Sequence, residues 1–91
     1  MTAPAKRIIR TLLDKGVLIP NPESVEIGDD VNPDNISGKG VMIHAGSKIF
    51  GKTTLILKNT AIGREAPATI DNCQIGPDVT LAGGFSANSV F

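Results

Sequence analysis

Few side chains in this sequence could do chemistry, and they are dispersed. His44 is the only histidine and Cys73 the only cysteine. An imidazole can act as a general base near neutral pH, so His44 is the candidate catalytic residue. One histidine cannot supply a three-histidine zinc set, and one cysteine excludes both an internal disulfide framework and a cysteine-based zinc site. No metal site is therefore expected within the chain. A reactive thiolate at Cys73 would need exposure and a cationic neighbour. Lys52, Lys58 and Arg64 form a basic run at six-residue steps. Lys39-Gly40 and Gly83-Gly84 contain glycine, but neither GxxxxGK[ST] nor GxGxxG occurs, so both read as turns. Asp29-Asp30 also reads as a turn, and no carboxylates are paired for acid–base work.

The elements that carry these residues are bounded first by size. A chain of 91 residues allows one small domain with one core. Nine basic and nine acidic side chains give zero formal charge, which excludes a strong nucleic-acid arm. The longest apolar runs, Val17-Leu18-Ile19, Val41-Met42-Ile43 and Leu55-Ile56-Leu57, are too short for a membrane span or a signal-peptide core. A cytoplasmic protein with no membrane and no nucleic-acid partner is expected. Ten Gly and six Pro argue against long helices.

An internal repeat sets the fold. Every sixth residue from Val25 gives Val25, Val31, Ser37, Ile43, Ile49, Leu55, Ala61, Pro67, Cys73, Val79, Phe85 and Phe91, apolar except for Ser37 and Pro67. A weaker apolar column lies two places on, with Ile27, Leu57, Ile75 and Leu81, and Gly28, Gly40, Gly46 and Gly76 follow it. Two inward positions two apart describe a short strand, and the glycines describe its corner. A strand and a turn in six residues cannot make a hairpin, but they can make one side of a solenoid. Three sides close a coil of about 18 residues, with residues 18 apart stacked about 4.8 Å from one another. The stretch Arg64–Ala68 fits poorly and predicts a bulge or small excursion.

On this register the buried set is Val25, Ile27, Val31, Ile43, Ile49, Leu55, Leu57, Cys73, Ile75, Val79 and Leu81, while Phe50, Ile56 and Ile62 face outward. His44 follows the inward Ile43, so it points outward or lies near a corner, above Glu26. Cys73 falls between Leu55 and Phe91 in the stack. Lys52, Lys58 and Arg64 fall on three different sides, which disperses the basic run. Asp30 with Lys48, and Asp34 with Lys52, are each 18 apart and are expected to form charge ladders.

Residues 1–16 differ. Ile8, Ile9, Leu12 and Leu13 make a stripe at helical spacing, with Thr2 as N-cap, Pro4 in the first turn and Gly16 just past the end. A short amphipathic helix here would cap the open end of the solenoid formed by residues 17–91.

The units Val25-Glu26-Ile27-Gly28-Asp29-Asp30 and Cys73-Gln74-Ile75-Gly76-Pro77-Asp78 resemble the hexapeptide-repeat family of left-handed parallel β-helices. Ile19 to Val25, Val41 to Gly46 and Cys73 to Phe85 are similar to the solenoid of UDP-N-acetylglucosamine pyrophosphorylase-related proteins. The resemblance implies an all-β, left-handed parallel β-helix of three to four triangular coils. It also implies side-by-side packing as a trimer, which the outward Phe50, Ile56 and Ile62 would support. It places the chain in a sugar-nucleotide setting, where a longer parent could be a nucleotidyltransferase with Mg2+ and a sugar-nucleotide ligand. This chain carries no nucleotide loop and is expected to be structural and inactive alone. The coil reaches Phe91 in mid-repeat with no cap, so the solenoid is expected to continue beyond Phe91. Two other readings stand beside this one. One is an acyltransferase holding acyl-CoA between subunits with His44 as base. The other is a non-catalytic scaffold.

Overall fold

The structure, a computed structural model, describes residues 4–91. Thr2, the expected N-cap, lies outside them. Helix α1 spans Pro4–Lys15. Ile9 and Leu12 of its apolar stripe are buried and Ile8 is half-buried. The helix stops at Gly16, whose φ of 110° suits a residue without Cβ. The Gly16 N–H donates to the Leu13 carbonyl at 3.2 Å and the Val17 N–H to the Leu12 carbonyl at 3.0 Å, the paired bonds of a Schellman motif. Leu12 and Val17, the two apolar residues of that motif, are both buried. The helix packs on strand β1 (Glu26–Ile27) and on the 3-10 turn Pro33–Asn35, and Lys15 Nζ donates to the Pro33 carbonyl at 2.9 Å. It caps the first coil, as its stripe predicts.

Eight more short strands follow: β2 (Met42–Ile43), β3 (Lys48–Phe50), β4 (Leu55–Ile56), β5 (Ala61–Ile62), β6 (Ala68–Asp71), β7 (Gln74–Ile75), β8 (Thr80–Leu81) and β9 (Gly84–Ala87). Every strand pairing is parallel. The strands form three sheets, β1-β3-β6-β9, β2-β5-β8 and β4-β7, which the chain visits in rotation. Single bridges at Leu18–Met42, Ile36–Ile56 and Gln74–Val90 extend the second and third sheets by a coil. The result is a parallel β-solenoid of about three turns with its apolar core on the axis.

The coil is not uniformly 18 residues. Met42 pairs with Ala61, Ala61 with Thr80 and Leu55 with Gln74, each a step of 19. The first sheet is uneven: Glu26 pairs with Lys48 (22), Lys48 with Thr69 (21) and Ala68 with Gly84 (16). The extra residues sit between sheets. One excursion contains the Pro33–Asn35 turn. The other is Gly63–Pro67, where the predicted bulge falls. There the amides of Arg64, Glu65 and Ala66 bond to the carbonyls of Leu81 and Ala82 at 2.8–3.2 Å.

These insertions correct the expected register. Inward positions in the middle of the chain are Thr54 and Ile56, then Thr60 and Ile62, all fully buried. Leu55 and Leu57 are only half-buried. Ile56 and Ile62 are therefore core residues, not outward ones, and they no longer support a lateral interface. A single inserted residue between Ile49 and Ile56 shifts the column by one, and in a strand that exchanges the two faces. Before it, Val25, Ile27, Val31, Ile43 and Ile49 are buried as predicted, and after a compensating short step so are Cys73 and Ile75. Val79 and Leu81 pack against the core half-buried. Phe85 lies opposite Thr69 on the outer face and is 72% exposed, contrary to the column. The expected Asp30–Lys48 ladder is also displaced. Lys48 stands opposite Glu26, while Asp30 Oδ1 accepts from the Gly51 amide at 3.3 Å.

Corners carry the left-handed backbone. Asn59, Asn72, Asp78 and Asn88 have φ between 51° and 62°. Their short polar side chains tolerate that region and bond locally. Asn59 Nδ2 donates to Asp78 Oδ1 at 3.0 Å one coil on, and Asn72 Oδ1 accepts from Thr53 Oγ1 at 2.8 Å. The buried hydroxyls are also used: Thr54 Oγ1 donates to the Phe50 carbonyl at 2.6 Å, and Ser47 Oγ accepts from the Ala68 amide at 3.4 Å. Among the described residues no buried side-chain polar atom lacks a partner.

Two outcomes test this register. Ile56→Asp places an unpaired charge in the core and is expected to cost at least about 3 kcal/mol, whereas Leu55→Asp costs about 1 kcal/mol. Urea unfolding of both variants checks it, and the opposite ranking would restore the uniform six-residue column. Gly51 has a φ of 98°, and a Cβ there would lie 2.6 Å from the Asn72 amide nitrogen. Gly51→Ala is expected to lower the unfolding free energy by about 1–3 kcal/mol, read from the same denaturant curves.

Candidate functional site

The outer surface of a solenoid is set by the residues that alternate with its core. On the β2-β5-β8 sheet the outward column is Leu18, Met42, Ala61 and Thr80. Pro20, His44 and Ala82 lie one alternation further along the same levels. No charged side chain occurs in the strand segments of this side, residues 17–20, 41–45, 60–63 and 79–82. Leu18 is 56% exposed and Met42 half-buried. A shallow groove lined by Leu13, Leu18, Pro20 and Met42 runs where α1 meets this sheet.

The β1-β3-β6-β9 face is different. It carries Glu26, Lys48 and Asp71, with Thr69 and Phe50 between them. On the β4-β7 face, Leu55, Leu57 and Gln74 point outward and no charge lies on the strands, but Lys39 and Lys58 stand at its corner. Lys39 and Lys58 are equivalent positions in successive coils, since the carbonyl of the first accepts from Asn59 and that of the second from Asp78. Charge is thus confined to one face and to corners and turns.

His44 sits just beyond β2 and is half-buried. Its amide donates to the Ile62 carbonyl at 2.9 Å, and its carbonyl accepts from the Ser47 amide at 3.3 Å. Continuing the ladder register puts His44 level with Pro20 and Gly63. It does not stack on Glu26, which pairs with Lys48. The imidazole makes no hydrogen bond to a described residue. Lys52 and Lys58 are exposed on separate corners and Arg64 is exposed in the excursion, so the basic run is dispersed as expected. Among the described residues no three His, Cys, Asp or Glu side chains converge on a metal position.

The feature that sequence reasoning missed is the charge-free sheet face. Its signal was present: Leu18, Met42, Ala61 and Thr80 are uncharged, but they align only at steps of 24, 19 and 19.

Cys73 is fully buried and free. Its neighbour in the ladder is Thr54, not Leu55, and Sγ lies 3.4 Å from the Asp71 carbonyl and 3.3 Å from that of Ser86. It is a small core side chain, not a nucleophile. Ellman's reagent is expected to label no thiol in the folded chain and one in denaturant; rapid labelling of the native protein would contradict its burial. No family model matches the chain, and no curated protein or solved structure matches it either.

Proposed function

We propose that this chain is a structural, oligomerising β-solenoid module. It is of the kind carried by UDP-N-acetylglucosamine pyrophosphorylase-related transferases, and it works by packing side by side with copies of itself. The observation that supports this reading is the charge-free β2-β5-β8 face, with Leu18 exposed at its first coil. A flat sheet face of small and apolar side chains can approach its own copy without desolvating a charge. Three copies about a threefold axis would each turn that face inward, while the charged β1-β3-β6-β9 face stays in water. Nucleotidyl chemistry, with its Mg2+ and sugar nucleotide, is assigned to a separate nucleotide-binding domain in this reading. The module itself supplies rigidity and spacing.

A second reading, acyl transfer, draws on one placement. His44 lies on the face that lateral packing would cover, so an acyl-CoA lying between subunits would pass near it. Both readings are tested on the same protein. Light scattering is expected to give three times the chain mass of 9.5 kDa, and Leu18→Lys with Met42→Lys is expected to dissociate the particle. A monomer at high concentration would overturn the lateral assembly. Calorimetric titration with acetyl-CoA decides the second reading, which needs saturable binding that His44→Ala weakens.

A further inference from the structure

The charge-free β2-β5-β8 face is bounded by two corners, and they carry opposite charge. The chain visits the three sheets in rotation, so one corner leads into each strand of this face and the other leads out of it. The leading corner holds Lys39, Lys58 and Asp78, and the trailing corner holds Glu23, Arg64 and Glu65, all six exposed. Two bases and one acid give the first a net charge of +1, and one base and two acids give the second −1. At the first coil the last turn of α1 stands in for a leading corner, and its Asp14 and Lys15 cancel. The ladder sets the levels. Lys58 comes three residues before Ala61 and Glu65 four residues after it, so both stand at the level of β5. Asp78 lies one coil on from Lys58, with its amide on the Lys58 carbonyl at 3.0 Å. The Arg64 amide bonds to the Leu81 carbonyl at 3.2 Å, which carries Arg64 toward that same coil.

We infer that these two corners are complementary halves of one contact between copies of this chain, with every copy pointing the same way. Lys58 pairs with Glu65 of the partner subunit, and Asp78 with Arg64 of the partner subunit. This rests on the side-by-side packing proposed above and adds to it the orientation and the charges that fix it. Rotation about an axis parallel to the solenoid brings the leading corner of one copy to the trailing corner of the next, level with level. A twofold perpendicular to the solenoid would instead bring two leading corners together, lysines against lysines. The face between the corners is uncharged, so the corner charges alone tell the two arrangements apart. Arg10 of α1 shares a cleft with Glu23 on its own chain, so Lys58 and Glu65 are the sharper test.

Sedimentation equilibrium on the full chain at low salt measures the association. Lys58→Glu and Glu65→Lys each set like charges at every contact, and each is expected to weaken the trimer about tenfold at constant far-UV circular dichroism. Lys58→Glu combined with Glu65→Lys restores the pair in reversed sense and is expected to recover the parent's association. Sodium chloride at about 1 M is expected to erase the differences. If one single variant loses its dichroism, the other decides. A trimeric parent whose association neither single reversal changes would overturn the inference and leave the lateral packing standing. So would a double variant as weak as the singles. A parent that stays monomeric at high concentration would overturn the lateral packing and this inference with it.

Discussion

The structure depends on one constraint, the vertical alignment of inward pairs in a parallel ladder. Each side of the coil offers two side chains, at i and i+2, to an axis with no other contents. The strand above must place its own pair over them while its amides meet the carbonyls below. Ile27, Ile49 and Ile70 satisfy this on one side, Ile43, Ile62 and Leu81 on the second, and Ile56 and Ile75 on the third. Apart from the half-buried Leu81, these side chains are β-branched, and such a row buries area at each level with little rotamer entropy to lose. Because strands of two to four residues have little stability alone, the stacking of coils holds the molecule together.

Anything that does not fit the ladder must leave it at a corner. Insertions appear between sheets, at the Pro33–Asn35 turn and at Gly63–Pro67, and the ladder resumes in register above them. Corners also need left-handed backbone, which Gly51, Asn59, Asn72 and Asp78 supply. The asparagine and aspartate side chains then bond upward or sideways, so a local conformational need becomes a link between coils. The same logic closes the first coil, where Gly16 ends α1 and turns Val17 into the core.

This division explains what could be read from the sequence. The fold class was legible because the inward spacing of two and the average step of six survive in most units. The cap was legible because Ile8, Ile9, Leu12 and Leu13 repeat at helical spacing before a glycine. The register of the middle coils was not, since one residue gained between Ile49 and Ile56 exchanges faces without altering composition. Leu55, Ile56 and Leu57 are all aliphatic, so hydrophobicity could not mark the change; the buried Thr54 and Thr60 were the only hint, six apart in a column of their own. The Asp30–Lys48 ladder failed for the same reason, being built on a fixed step of 18. The placement of His44 outside the core was legible, but its neighbours depend on coil length and were not. The charge-free face was hidden likewise, because its members share a side only once the steps are known.

The uneven length of the coils fixes which strands of the first sheet lie against one another. Isotope-edited nuclear Overhauser spectra of the labelled chain are expected to show backbone contacts between Lys48 and Thr69, 21 residues apart, and between Ile49 and Ile70. Contacts from Lys48 to Ala66, 18 residues on, with none to Thr69, would contradict the account and restore a uniform coil.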